Sequence, residues 1–469
     1  MDSLPEDIWA HILQRLKTVK DRNTAASVCR RWFYLDRVLR RELSVGCGMD
    51  PPEAAIGALT TRFTNLSKLE ICYFGWHSDM GKQADDKTLK ILSQNCLQLT
   101  DLSLNFCGFI TDTGMGHLTL CRELKSIRLN FLPCVSGRGL LSLVTGCKAL
   151  TRFHVEWLMG VRTVEWLEFI GRKGRIKSLA VKNCKCVGDY ELGRLGRRGW
   201  QNLREFFFAI DLRHGSAGNI FGHNGREASL LNAWRMFDGS QELCCPNLQV
   251  LHLVKTLSAS RTGLNWLLPQ CSSLRELHLD TCIGLEDEDL VLLARQCPEL
   301  SSVYFRAPIH LPGANPSRLT DVGLLAIARS CPNIESIELA FHDSDLSPFI
   351  TSAGITSMVE TCLKLRSLTI SAADPFTDDV MIAVCKSGSI ESLELDQCRE
   401  ITDAGLKMAR ESSLKELKVR SCGRLSDTGF APLKHSRKLK CLVVNSCPLV
   451  SRGGLIHAAQ VVIYNGTLS

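Results

Sequence analysis

The sequence predicts an α/β fold, a curved solenoid of strand, turn and helix repeats behind a small three-helix module. The motif Leu-x-x-Leu-x-Leu recurs along most of the chain, at steps averaging 26 residues between Leu99 and Leu203. A second signature, Thr-Asp-x-Gly with a short apolar stripe, follows many copies of the first. Residues 1–45 carry neither and instead show the spacing of amphipathic helices.

The strand motif begins at Leu66, Leu99, Leu124, Leu150, Ile176 and Leu203, then at Leu248, Leu274, Leu300, Ile334, Leu365, Ile390, Leu414 and Leu439, about 14 copies. Side chains alternate across a strand, so the leucines line one side. In Leu319-Thr320-Asp321-Val322-Gly323 the Thr and Asp can accept from the orphan amides of a first helical turn, and the acid suits the positive helix end. Leu324, Ile327 and Ala328 keep helical spacing, and Cys331-Pro332 ends the helix. One repeat cannot bury its own apolar face, and stacking the repeats builds a single continuous core.

With 45% hydrophobic and 22% charged residues, the chain is neither disordered nor collagen-like. Its formal net charge of +7 is mild and does not call for nucleic acid, which is not expected as a partner. No apolar run is long enough to span a membrane, and the acidic start lacks the pattern of an export signal. The 22 cysteines are therefore expected as reduced thiols, in the nucleus or cytoplasm. They fall at two registers, after the strand (Cys107, Cys184, Cys282, Cys398, Cys422, Cys447) and at the helix end (Cys96, Cys121, Cys147, Cys271, Cys297, Cys331, Cys362). Such periodicity fits small inward-facing thiols, whereas a metal site needs ligands converging at short spacing.

In the N-terminal module, Ser3 and Glu6 have capping-box spacing, Pro5 suits a first turn, and Ile8, Trp9, Ile12, Leu13 and Leu16 mark the face of one helix. A second helix is expected from about Asn23 through Trp32, and a third through Leu35, Val38, Leu39 and Leu43. The division is residues 1–45 for this module, 46–65 leading into the first repeat, and 66–469 for the solenoid, with a loop insertion at 213–247.

The repeat pattern resembles the cysteine-containing subclass of leucine-rich repeats. The module resembles the F-box, whose pattern here reads Leu4-Pro5-Glu6, Ile8, Ile12, Leu16 and Val28-Cys29-Arg30-Arg31-Trp32. That resemblance implies docking on a Skp-type adaptor through Leu4, Pro5, Ile8, Ile12, Leu16, Val28 and Trp32, and through it on a cullin and a RING subunit. It makes the chain the non-catalytic substrate receptor of a ubiquitin ligase, presenting a protein for degradation. Lys20 to Phe33 is also similar to the start of the plant auxin and jasmonate receptors, which have more repeats. From that likeness alone come a hormone-like ligand and an inositol phosphate cofactor. The remaining reading is a binding scaffold for protein or RNA whose helices merely cap the first repeat.

Residues beside the strand leucines face the concave wall of such a solenoid. Arg128, Arg152, His154, Lys182, Phe207, His252, His278, Tyr304 and Arg306 form its basic and aromatic part, suited to an acidic or phosphorylated substrate, while Glu394 and Asp396 make an acidic patch. Scattered solvated charges are the alternative. The glycine- and aromatic-containing insertion at 213–247 could close over the wall or pack as an Ω-loop. No catalytic set emerges. Gly75 to Lys82 misses the P-loop spacing, and Ser412-x-x-Lys415 straddles a strand start with no partner motif.

Overall fold

The computed structural model describes residues 5–16, 18–46, 51–73, 83–184, 187, 192, 194–209, 245–254, 271–282, 285–306, 319–341 and 350–465. Leu4, most of the insertion at 213–247 and the stretch from Gly75 to Lys82 lie outside them. The chain divides into two compact units, Met1–Val187 with Arg194–Asn202, and Gly188–Gly193 with Leu203–Ser469.

Unit one opens with three helices, α1 (Glu6–Gln14), α2 (Val19–Val28) and α3 (Arg30–Leu39). The second helix therefore ends earlier than the spacing predicts, and Trp32 belongs to α3. Cys29 explains the break: its backbone is extended, and its Sγ accepts from the Trp32 amide as the cap of α3. At α1 the cap position is Pro5, which makes no side-chain cap bond. Trp9, Leu13, Ala25 and Leu35 form the module's core, with Leu16, Trp32 and Leu39 packed against it.

The same unit holds the parallel strands β1 (Glu42–Gly46), β2 (Lys68–Cys72), β3 (Asp101–Asn105), β4 (Ser126–Asn130), β5 (Arg152–Glu156) and β6 (Ser178–Lys182). Leu43, expected in the third helix, is instead the second residue of β1, paired with Leu69, and β1 precedes the first motif copy because Arg40 stands where the first leucine would be. It is only 4% exposed, neutralised by Asp36 at 2.9 Å and bonded to Asn23 at 3.0 Å. Residues 52–62, inside the stretch leading to the first repeat, form α4 (Pro52–Arg62), which buries Ile56. Arg62 reaches Asp36 at 3.5 Å and lies 4.0 Å over the Phe33 ring, joining α4 to the helical module.

Among the described residues unit two carries ten parallel strands: β7 (Glu205–Ala209), β8 (Val250–Val254), β9 (Glu276–Asp280), β10 (Ser302–Arg306), β11 (Ser336–Ala340), β12 (Ser367–Ser371), β13 (Ser392–Asp396), β14 (Glu416–Arg420), β15 (Cys441–Asn445) and β16 (Val461–Asn465). β16 is likewise outside the motif count, with Ala459 at the place of the first leucine. Along most strands the second and fourth residues are buried and the first, third and fifth half-exposed, the alternation expected of a sheet with one covered face.

The Thr-Asp-x-Gly signature works across repeats as well as within them. Thr320 caps its own helix, Asp321–Ser330, by accepting from Val322 N at 3.1 Å. The acid does not serve its own first turn as expected. Asp321 accepts from Thr351 N and Thr351 Oγ1 of the next repeat at 2.8 and 2.7 Å. Asp287 does the same for Thr320 (2.8 and 2.5 Å) and also takes the Gly323 amide at 3.0 Å. A Cβ on Gly323 would stand 2.6 Å from Asp287 Oδ1, so the glycine makes room for the preceding repeat's carboxylate.

Candidate functional site

Two faces present side chains for binding. On the helical module the apolar residues divide into two sets. Trp9 and Leu13 turn into the core, and Trp9 packs against Trp32 at a tilt of 52° with centroids 4.7 Å apart. Ile8, Ile12 and Val28 turn outward, exposed by 47%, 42% and 61%. Pro5 is exposed too. Of the seven residues implied as adaptor contacts, four are thus on the surface, Leu16 and Trp32 are half-buried supports of the core, and Leu4 is outside the described residues.

The open face of the sheet in unit one carries Arg128 on β4, Arg152 and His154 on β5, and Lys182 on β6. Arg128 and His154 share a rung. Arg152 is bonded to Asp101 at 3.0 Å, and His154 Nε2 lies 3.1 Å from Ser178 Oγ. Beside them run aromatic residues that wall positions alone do not reveal. Phe106, Phe131 and Trp157 each follow a strand in a left-handed backbone with φ near 55° (58°, 55° and 54°), and the two phenylalanine rings are 5.6 Å apart. Their sequence signal is an aromatic recurring two residues after the last strand leucine or valine.

Phe207, His252, His278 and Tyr304 are brought together in unit two. They are the third residues of β7, β8, β9 and β10, and the in-register pairing sets them on one rung. Phe207 meets His252 edge-on at 4.5 Å, His252 stacks on His278 at 4.7 Å, and His278 lies parallel to Tyr304 at 3.7 Å. His252 Nε2 donates to Glu276 Oε1 at 2.7 Å. Arg306 approaches Asp280 to 3.6 Å and also lies 5.7 Å from the Tyr304 ring centre. Burial, helped by the charge of Asp280, pushes the Tyr304 hydroxyl up to about 12. On the next strand the same rung holds Glu338, whose carboxyl is raised by burial and then by Glu394. Glu394 binds Arg420 at 3.0 Å and Lys418 at 3.7 Å. The aromatic residues expected to serve an acidic substrate therefore sit among carboxylates.

A polyphosphate needs several converging cations, and here Arg306, Lys418 and Arg420 each face a carboxylate. Among the described residues, the open face of unit two offers no such unpaired cluster for an inositol phosphate. Several of the periodic cysteines donate to carbonyls of the preceding repeat, as Cys282 Sγ does to Leu253 O at 3.5 Å and Cys297 Sγ to Cys271 O at 3.3 Å, while others such as Cys422 donate within their own repeat. Burial pushes the Cys297 thiol up to about 12, away from the reactive thiolate.

A family model described as F-box matches residues 1–42, and one described as Leucine Rich repeat matches residues 95–118. A Transport inhibitor response 1-like protein of Oryza sativa subsp. japonica is 26% identical over 425 residues, which cover 80% of this chain and 70% of that protein. Coronatine-insensitive protein 1 of Arabidopsis thaliana is 23% identical over 441 residues, covering 77% and 71%. A second rice Transport inhibitor response 1-like protein is 23% identical over 444 residues, covering 79% and 73%.

Proposed function

From an F-box joined to leucine-rich repeats, which this chain carries, we propose that it is the substrate-recognition subunit of a Skp/cullin/F-box ubiquitin ligase. The helical module docks on a Skp-type adaptor, and through it on a cullin and a RING subunit. The open face of the sheet holds the protein to be modified. The chain performs no covalent step in this reading. Its contribution is effective concentration, since a tethered lysine meets the charged conjugating enzyme as a local rather than a bimolecular event. It acts in the nucleus or cytoplasm, where buried thiols stay reduced.

The observation that carries the reading is the outward set on the module. Ile8, Ile12 and Val28 spend helical positions on solvent although Trp9, Leu13 and Leu35 already fill the core, and exposed apolar side chains of this kind mark an interaction surface. A pull-down of a Skp-type adaptor by the full chain tests it. Ile8→Asp/Ile12→Asp is expected to reduce recovery by about tenfold or more while leaving the thermal melt nearly unchanged, because neither side chain supports the core. If the wild type recovers no adaptor, or the variant recovers as much, the reading fails.

A further inference from the structure

Phe207, His252, His278 and Tyr304 form a continuous aromatic shelf across four strands of unit two. Its last ring has one face against His278. On the other side the next strand puts Glu338 opposite Tyr304 in register. A planar or ammonium cation approaching the solvent edge of this pair meets the aromatic ring and the carboxylate together, the pairing that favours cations over neutral groups. The chain's own Arg306 already illustrates the affinity, with its guanidinium 5.7 Å from the Tyr304 ring centre, though its ion pair goes to Asp280. Among the described residues Glu338 takes no ion pair, while Glu394 is spent on Arg420 and Lys418. Across the open-face positions of β7 to β11, Glu205, Glu276, Asp280 and Glu338 stand against the single guanidinium of Arg306. This local excess of negative charge opposes the chain's net charge of +7, so it does not follow from composition.

We propose that the open face of β7 to β11 binds a basic peptide segment, with an Arg or Lys side chain lying against Tyr304 and its charge meeting Glu338. This deepens the substrate-receptor reading by naming the chemistry of the segment recognised, and rests on that reading for its biological meaning. Its binding test needs no adaptor.

The test uses the full chain and two fluorescein-labelled peptides of equal length, one with arginines alternating with glycine and one with glutamates in their place, read by fluorescence anisotropy. The arginine peptide is expected to bind and the glutamate peptide not. Glu338→Gln and Tyr304→Leu should each weaken binding by about fivefold or more, while Glu400→Gln, a half-exposed acid paired with Arg424 outside β7 to β11, should change it by less than about twofold. Glu338→Gln removes charge while keeping size, so it guards against loss of binding through misfolding of the tyrosine variant. Equal binding of the two peptides, preference for the glutamate peptide, no binding of the arginine peptide, or an unchanged affinity in Glu338→Gln would each overturn the proposal. Adaptor recovery by the same preparations separates the two readings. A chain that captures adaptor but ignores the arginine peptide loses only this inference, and one that binds the peptide without adaptor loses only the ligase role.

Discussion

Asp289 is the third residue of the helix Asp287–Gln296, where its carboxylate accepts the Glu286 amide at 3.1 Å in a capping box. It is only 6% exposed. Burial raises its pKa to about 6; the bond from Glu286 pulls against this, and the charges of Glu286 and Glu288 add to it. The folded value exceeds the unfolded one, so the protonated carboxyl stabilises the fold fully below the unfolded pKa, and that contribution is lost as pH rises from about 4 through about 6. At neutral pH the ionised group is therefore a cost. Asp289→Asn keeps an acceptor for Glu286 and removes the charge. It should raise stability at pH 7.5 by ~2 kcal/mol, with the gain vanishing near pH 4, as read from thermal melts across that range. A gain independent of pH would exclude charge burial as its cause.

The repeat element is held by the bond from Asp287 to Thr320 and Gly323, a side chain of one repeat acting as acceptor for the helix start of the next. Replacing the acid by alanine orphans two amides, and Asp287→Ala should cost about 1–3 kcal/mol in a denaturant melt. Glycine to alanine within a helix normally stabilises by about 1 kcal/mol, yet Gly323→Ala is expected to destabilise, because the new methyl meets Asp287 Oδ1. In the Asp287→Ala background that clash is gone and only the contacts with Leu290 at 3.0 and 3.3 Å remain, so the second substitution should cost less than it does in the wild type. Additive effects in this double-mutant cycle would show that the glycine is not making room for the acid. The signature itself was legible as a helix start, but not this use of it. Capping is local to the chain, whereas the acceptor lies 33 residues before the threonine, and only the stacking register brings them together.

On the scale of the molecule, the described helical module and the first repeats of unit one are joined through a buried charge cluster. Asp36 binds Arg40 and Arg62, and both guanidiniums lie within 5 Å of the Phe63 ring centre, at 4.9 and 4.8 Å. Asp36→Ala would leave Arg40 buried without its counter-charge, at a cost of about 3–5 kcal/mol, and Asp36→Leu/Arg40→Leu should recover much of it by removing both charges. Limited proteolysis between Leu39 and Pro52 should accelerate in the single variant and return toward wild type in the double. A double variant cleaved as fast as the single would mean that the pair supplies more than charge balance.

Within the repeats, the element types, the period, the buried leucines and the inward thiols followed from the sequence alone, because hydrophobic spacing within ten residues already decides which face of a strand or helix leaves water. The F-box pattern was legible for the same local reason. What depended on tertiary structure are the strands β1 and β16, whose leucine positions hold Arg40 and Ala459 and which form because a neighbouring strand supplies their hydrogen bonds. The same is true of the helix to which Trp32 belongs, decided by a sulfur cap at Cys29. Individual wall residues such as Tyr304 and Glu338 could be named from strand alternation. That they meet, and that four rings touch in series across strands separated by unequal lengths of chain, is a property of register, which no local pattern encodes.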